Sequence, residues 1–331
     1  MKALVYTAPQ ALELRDVEPP RPAEGEVLIE IEACGICGSD MHAWHGRDPR
    51  RPAPLILGHE AVGTIADGAD TGSRVVVNPL VTCKTCSACL GGRENLCPSR
   101  QIISMPPREG AFAGLLAMPE RNLVPVPDYV SSEVAALTEP LACGWHAVRL
   151  AERALIEPIS QAKALVIGGG AIGLGAALSL TAHGVDEIWL AETNRSRHPA
   201  LSAAGGFRVY DPTSDPGPGA DTVDLVIDGV GFAPTRLAAC RATRPGGVIV
   251  HIGLGDGEGG LDIRRMTLQE LTFIGSYTYT AKDFRDTAAA IFGGRLGTLD
   301  WPEVRTLSEG PRAFADIDSG RAVAPKIILK P

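Results

Sequence analysis

A chain of 331 residues is long enough for two domains with separate cores, and its 45% hydrophobic content fits a globular enzyme. A formal charge of −8, from 31 basic and 39 acidic residues, argues against nucleic acid and anionic membranes as partners. The 38 glycines and 26 prolines announce many turns and close backbone approaches.

The N-terminus, Met1-Lys2-Ala3-Leu4-Val5-Tyr6, reads as an immediate strand without the apolar core of a signal peptide. Glu26 to Glu32 alternates with a period of two, and Arg74 to Val77 and Leu123 to Pro127 are further short strands. Many short strands between Gly and Pro breaks predict a β-barrel or sandwich. At Ser131 the pattern changes: Ser131 caps a predicted helix containing Val134, Ala135 and Leu137, and another helix is expected to start near Cys143. Strands over 164–167, 187–191, 223–227, 247–252 and 271–275 then alternate with helices over 171–183, 195–204 and 234–241. That alternation is the signature of an α/β, doubly wound parallel sheet. A helix over 281–292 and a last strand over 326–329 are expected to return to the first domain. The expected boundaries are 1–143, 144–275 and 276–331. Ala164 to Ala182 carries no charge over 19 residues, close to the length of a membrane span. Its β-branched start and its break at three glycines predict a strand, a turn and a buried helix instead.

Cys83, Cys86, Cys89 and Cys97 form the pattern C-x2-C-x2-C-x7-C within a lobe spanning 80–98. Short loops between thiolates let one tetrahedral zinc ion collect four sulfurs, as in a closed structural site. Disulfides three residues apart would be strained, and the flanks carry only Lys84 and Arg93, too few for a nucleic-acid-reading module. Reduced cysteines, most of them in metal-like spacing, fit a cytoplasmic protein.

Gly168, Gly170 and Gly173 form Gly-x-Gly-x-x-Gly between a predicted strand and helix, with Ala171 and Ile172 inside the turn. The glycines permit a tight turn and close approach of backbone to a pyrophosphate, which then meets free N–H groups at the helix N-terminus. Glu192 follows 19 residues after Gly173, where a carboxylate accepts ribose hydroxyls and repels a 2′-phosphate. NAD is therefore expected over NADP, with Arg195 and Arg197 as nearby counter-signals. Val230, Gly231, Ile252 and Gly253 lie at the ends of later strands, where ligands bind in such sheets.

Cys37 in Cys34-Gly35-Ile36-Cys37-Gly38-Ser39-Asp40, His59 and Glu60 in Leu57-Gly58-His59-Glu60, and Glu139 in Thr138-Glu139-Pro140 complete the set. One thiolate, one imidazole and one or two carboxylates leave a coordination position open, as a catalytic zinc requires.

With these stretches in view, the chain resembles the zinc-dependent medium-chain alcohol dehydrogenase family, nearest its polyol (sorbitol, iditol, galactitol) and threonine branches. The resemblance implies a GroES-like β-barrel and a Rossmann domain with the active site in the cleft between them. It implies two zinc ions per chain, one at Cys37, His59 and Glu60 with Glu139 contacting the metal or its water. Ser39 and His42 match the proton relay, Asp40 orients His59, and Arg197 joins the cofactor contacts. The implied reaction moves hydride from a secondary hydroxyl of a polyol or sugar-derived alcohol to NAD. Threonine-type or general alcohol dehydrogenation, and a non-catalytic nucleotide-binding relative, are the alternatives. A homodimer or homotetramer is expected, with a small alcohol as the other partner. Thr278 stands where sorbitol dehydrogenases carry arginine, and Phe112-Ala113-Gly114-Leu115 departs from the family's pattern. These departures bear on the substrate and leave every metal ligand in place.

Overall fold

Alternation of apolar and polar residues builds the first sheet. Along Glu26–Gly35, Val27, Ile29 and Ile31 are buried while Glu30 is exposed, as in a half-buried strand. The computed structural model describes residues 1–331 and divides them into two compact units. The first comprises Met1–Glu139, Thr280–Gly293 and Asp300–Pro331. Its seven-stranded sheet runs in the order Leu123–Pro125, Arg74–Val77, Glu60–Ile65, Glu26–Gly35, Ile327–Lys330, Glu303–Thr306, with Leu115–Pro119 also on Glu26–Gly35. A three-stranded sheet of Ala11–Asp16, Lys2–Ala8 and Leu55–Ile56 shares its core, in which Leu4, Ile29, Phe112 and Phe314 are fully buried. The register sets Gly35 opposite both Glu60 and Ile328. That pairing draws the Cys37 stretch, Glu60 and Lys326 together at one end of the sheet.

The second unit, Pro140–Tyr279 with Gly294–Leu299, holds six parallel strands: β1 (Lys163–Ile167), β2 (Glu187–Ala191), β3 (Arg208–Tyr210), β4 (Val223–Asp228), β5 (Thr243–His251) and β6 (Thr272–Gly275). Their order is β3-β2-β1-β4-β5-β6, all parallel, the doubly wound Rossmann order. Ala164 to Ile167 are all buried, as in a strand covered on both faces. The uncharged run resolves into β1, a glycine turn and the largely buried helix Ala171–Ala182. No helix is long and apolar enough to cross a membrane.

Several expectations need correction. The helix expected near Cys143 begins at Thr138. Pro140 sits in its first turn, where a missing N–H costs nothing, and Glu139 therefore lies on a helix. The helix expected over 195–204 is a 3-10 turn, Arg195–Arg197, followed by an α-helix, His198–Ala204. Edge strand β3 and the helices Gly38–Trp44, Ile263–Leu268 and Gly310–Asp318 lay outside the sequence reading. The units divide after Glu139 and Tyr279, and Gly294–Leu299, expected in the returning segment, fall in the second unit.

Candidate active site and metal centres

Cys37 caps helix Gly38–Trp44 from an extended conformation, while His59 immediately precedes, and Glu60 opens, the strand paired with Glu26–Gly35. Their sulfur, nitrogen and carboxylate oxygen donors lie within 4.8 Å of one another. Glu60 is fully buried; Lys326 Nζ donates to its Oε1 at 2.5 Å and to the Ile36 carbonyl at 2.8 Å. Its Oε2 has no hydrogen-bond partner. A Cβ on Gly35 would stand 1.9 Å from that oxygen, so only glycine leaves the carboxylate its place. A buried carboxylate oxygen without a partner, beside a thiol and an imidazole, is a donor set that fits zinc. Burial alone would depress the Lys326 pKa, but the charges of Glu60 and Cys37 outweigh it and keep the ammonium protonated.

The surroundings hold these donors in place. Asp40, fully buried in the helix's first turn, accepts the Cys37 N–H at 2.9 Å and the Gly58 N–H at 3.3 Å. Its Oδ1 also lies 3.5 Å from His59 Nδ1. Asp40 thus caps the helix and faces the His59 imidazole. Burial pushes its carboxyl up, yet the facing imidazole and neighbouring donors hold it below the usual range. The same pair works on His59: burial opposes protonation, but the charges of Asp40 and Cys37 raise its pKa well above the ordinary value. Metal binding there must displace a proton.

Ser39 and His42 stand three residues apart on the helix, on neighbouring positions of one face, and both are half-buried. Burial, first, and nearby Arg47 lower the His42 pKa against the pull of Asp48. Trp44 packs in the core, 6.2 Å from Phe314 between ring centres, and His45 pairs with Asp318 at 2.9 Å. Glu139 is buried and close enough to raise the Lys326 pKa, but it is outside the group of three donors. Sequence reading missed Lys326, Arg51 and Ser104. A lysine heading the apolar run Ile327-Ile328-Leu329 is a signal that could have found the first.

In the cysteine lobe the four sulfurs also lie within 4.8 Å of one another. Cys83 Sγ is 3.5 Å from Cys97 Sγ and 3.9 Å from Cys89 Sγ, far beyond a bond, and all four thiols are free. Tetrahedral sulfurs at about 2.3 Å from zinc stand roughly 3.8 Å apart, so the lobe is already arranged for the ion. Thr85, through its backbone N–H and side chain, pulls the Cys83 thiol down to about 5, which favours the thiolate a metal needs.

At the C-terminal ends of the parallel strands, Gly168 takes φ +100° and Gly170 caps helix Ala171–Ala182. A Cβ on Gly173 would lie 1.8 Å from the Gly168 carbonyl oxygen, so the turn and helix touch backbone to backbone. Ala171 and Ile172 begin that helix. Glu192 is buried and accepts the N–H groups of Gly169 at 3.0 Å and Asn194 at 2.7 Å, which excludes a merely solvated charge. Arg197 approaches Glu192 at 3.7 Å. Arg195 is committed elsewhere, to Asp211 at 2.9 Å and Asp215 at 2.8 Å. Val230 and Gly231 share the Asp228 carboxylate, at 3.0 Å each, and the Gly231 and Gly253 backbones cross without room for a Cβ. Ile252 donates its N–H to the Asp228 carbonyl at 2.9 Å.

Comparison with known proteins agrees with this architecture. Residues 23–128 match the family model for the alcohol dehydrogenase GroES-like domain, and residues 171–292 match that for zinc-binding dehydrogenase. The chain is 34% identical over 309 residues to L-galactonate-5-dehydrogenase of Escherichia coli K12, covering 89% of this chain and 88% of that protein. It is 26% identical over 322 residues to D-xylulose reductase A of Aspergillus oryzae, covering 90% and 88%. The structure of acetophenone reductase from Geotrichum candidum in complex with NAD superposes with a TM-score of 0.88 at 25% identity, covering 100% of this chain and 97% of that one.

Proposed function

As this chain belongs to the zinc-dependent medium-chain alcohol dehydrogenase family, we propose that it oxidises a secondary hydroxyl of a polyol or sugar-derived alcohol with NAD. The observation that carries the reading is the meeting of Cys37, His59 and Glu60 around a buried carboxylate oxygen without a partner. Cys37, His59 and Glu60 would hold a zinc ion, with Glu139 facing the same centre. A zinc ion held there supplies a Lewis acid that lowers the pKa of a hydroxyl. Ser39 accepts the hydroxyl proton and passes it to His42, whose lowered pKa keeps the imidazole neutral and ready to take it. NAD bound at the glycine turn would take the carbinol hydrogen with its two electrons, leaving a ketone. Cys83, Cys86, Cys89 and Cys97 would hold a second, structural zinc.

The Gly168–Gly173 turn offers the N–H groups of helix Ala171–Ala182 to the pyrophosphate. Glu192 accepts two backbone N–H groups and has lone pairs left for ribose hydroxyls, and with Arg195 already paired this favours NAD over NADP. The relative named L-galactonate-5-dehydrogenase supports a sugar-derived substrate. The same reading includes a homodimer or homotetramer, which light scattering decides. A panel of polyols, sugar acids and amino alcohols, followed by NADH absorbance, tests the assignment. Turnover with a polyol or sugar acid is expected; turnover with threonine alone, or with nothing, contradicts it.

A further inference from the structure

A ring of contacts surrounds two of the residues read above as metal ligands, and Arg51 closes it. Its side chain is buried; Nε donates to the Ser104 carbonyl at 3.0 Å and Nη1 to Asp48 Oδ2 at 2.7 Å. Nη1 also reaches the Ser39 carbonyl at 3.5 Å. Asp48 is buried too, and its carboxylate is gripped from the other side by Arg50 at 2.8 and 2.9 Å.

Ser104 is fully buried at φ +64°, a left-handed conformation that a serine adopts only when its surroundings hold it there. Its hydroxyl oxygen lies 3.4 Å from His59 Nδ1. Asp40 meets the same nitrogen at 3.5 Å and ties back to Cys37 through its backbone N–H. Both neighbours of Nδ1 stand at the long end of hydrogen bonding, so neither fixes the imidazole by itself. The ring's angle then depends on where the Ser104 segment is kept. The guanidinium is a planar fork with fixed donor directions, suited to setting two carbonyls relative to one another.

We propose that Arg51, anchored by Asp48, is a positioning residue that locks the Ser104 segment against His59 and the Ser39 end of the relay helix. It orients a metal ligand that it does not touch. The proposal rests on the reading of Cys37, His59 and Glu60 as a zinc site. Orienting partners of this kind are typically worth 10- to 100-fold in metal affinity or activity.

The test is zinc affinity at each site of the full chain, measured by chelator competition for wild type, Arg51→Met, Ser104→Ala and the double variant. Arg51→Met and Ser104→Ala should each weaken the Cys37 site about tenfold or more, with the four-cysteine site unchanged as internal control. Because both act on His59 through the Ser104 segment, the double variant should lose less affinity than the sum of the two single losses. Unchanged affinity at the Cys37 site overturns the proposal. So does a parallel loss at both sites, which marks a general structural defect, and so does an additive double variant. Should Arg51→Met fail to fold, Ser104→Ala decides alone, wild-type affinity overturning the proposal. Wild-type protein that takes up only the four-cysteine zinc sinks the parent reading instead.

Discussion

Single atoms decide the chemistry around Glu60. The carboxylate occupies the space that a side chain at position 35 would fill, so Gly35→Ala should push it out of reach of Cys37 and His59. Zinc should then be lost from that site while the cysteine lobe keeps its own; X-ray fluorescence of the purified variant reads both, and two retained ions refute the argument. Lys326 and Glu60 form a buried ion pair, and Lys326→Met leaves one charge without its partner. Breaking such a pair typically costs about 3–5 kcal/mol, so urea unfolding of the metal-free variant should show a loss of that size. Asp48 gives a pH signature. Burial pushes its carboxyl up, but hydrogen bonds and charge from Arg50 and Arg51 bring it from 3.8 down to about 2. A depressed folded pKa means stability that is complete above about pH 4 and lost as pH falls through about 2. Asp48→Asn should therefore flatten the acid limb of a metal-free stability profile between those values; an unaltered limb contradicts the assignment.

Elements hold these residues at their posts through caps and close crossings. Thr280 and Asp283 cap helix Ala281–Phe292 reciprocally, with Thr280 Oγ1 accepting the Asp283 N–H at 3.1 Å. Thr280→Ala should cost about 1 kcal/mol in equilibrium unfolding, and a neutral result would show the cap is idle. Gly173→Ala forces the helix off the Gly168 turn, so NAD affinity measured by calorimetry should fall at least tenfold; wild-type affinity would count against the pyrophosphate role. The parallel sheet was legible because its strands are short apolar runs separated by helical periods, and the cysteine lobe because its spacing is local. Helix Gly38–Trp44 was not, since it is short and its hydrophobic residues, Met41 and Trp44, also suit a loop. The Thr138 helix start lies five residues before the one expected near Cys143, with Pro140 in the first turn, where its missing N–H is tolerated. Within the site, residues adjacent in motifs were visible. Lys326 and Ser104 were not, because strand pairing and a left-handed turn bring them in from distant sequence.

At the scale of the whole molecule, two metal centres with different duties follow from the two donor groups in the first unit. The four-sulfur group would close on its ion and stabilise the lobe, on the order of 10 kcal/mol for structural zinc. On the reading proposed above, zinc held by the Cys37 group would keep a position open for a substrate hydroxyl, and this centre would belong to turnover. Cys83→Ser should lower the melting temperature, and Cys37→Ser should abolish NADH formation while leaving melting nearly intact. The most direct measurement is the zinc content per chain, by native mass spectrometry, of wild type and Cys37→Ser. The account predicts two ions falling to one, with the folded mass envelope retained. One ion in the wild type, or two in Cys37→Ser, would contradict it.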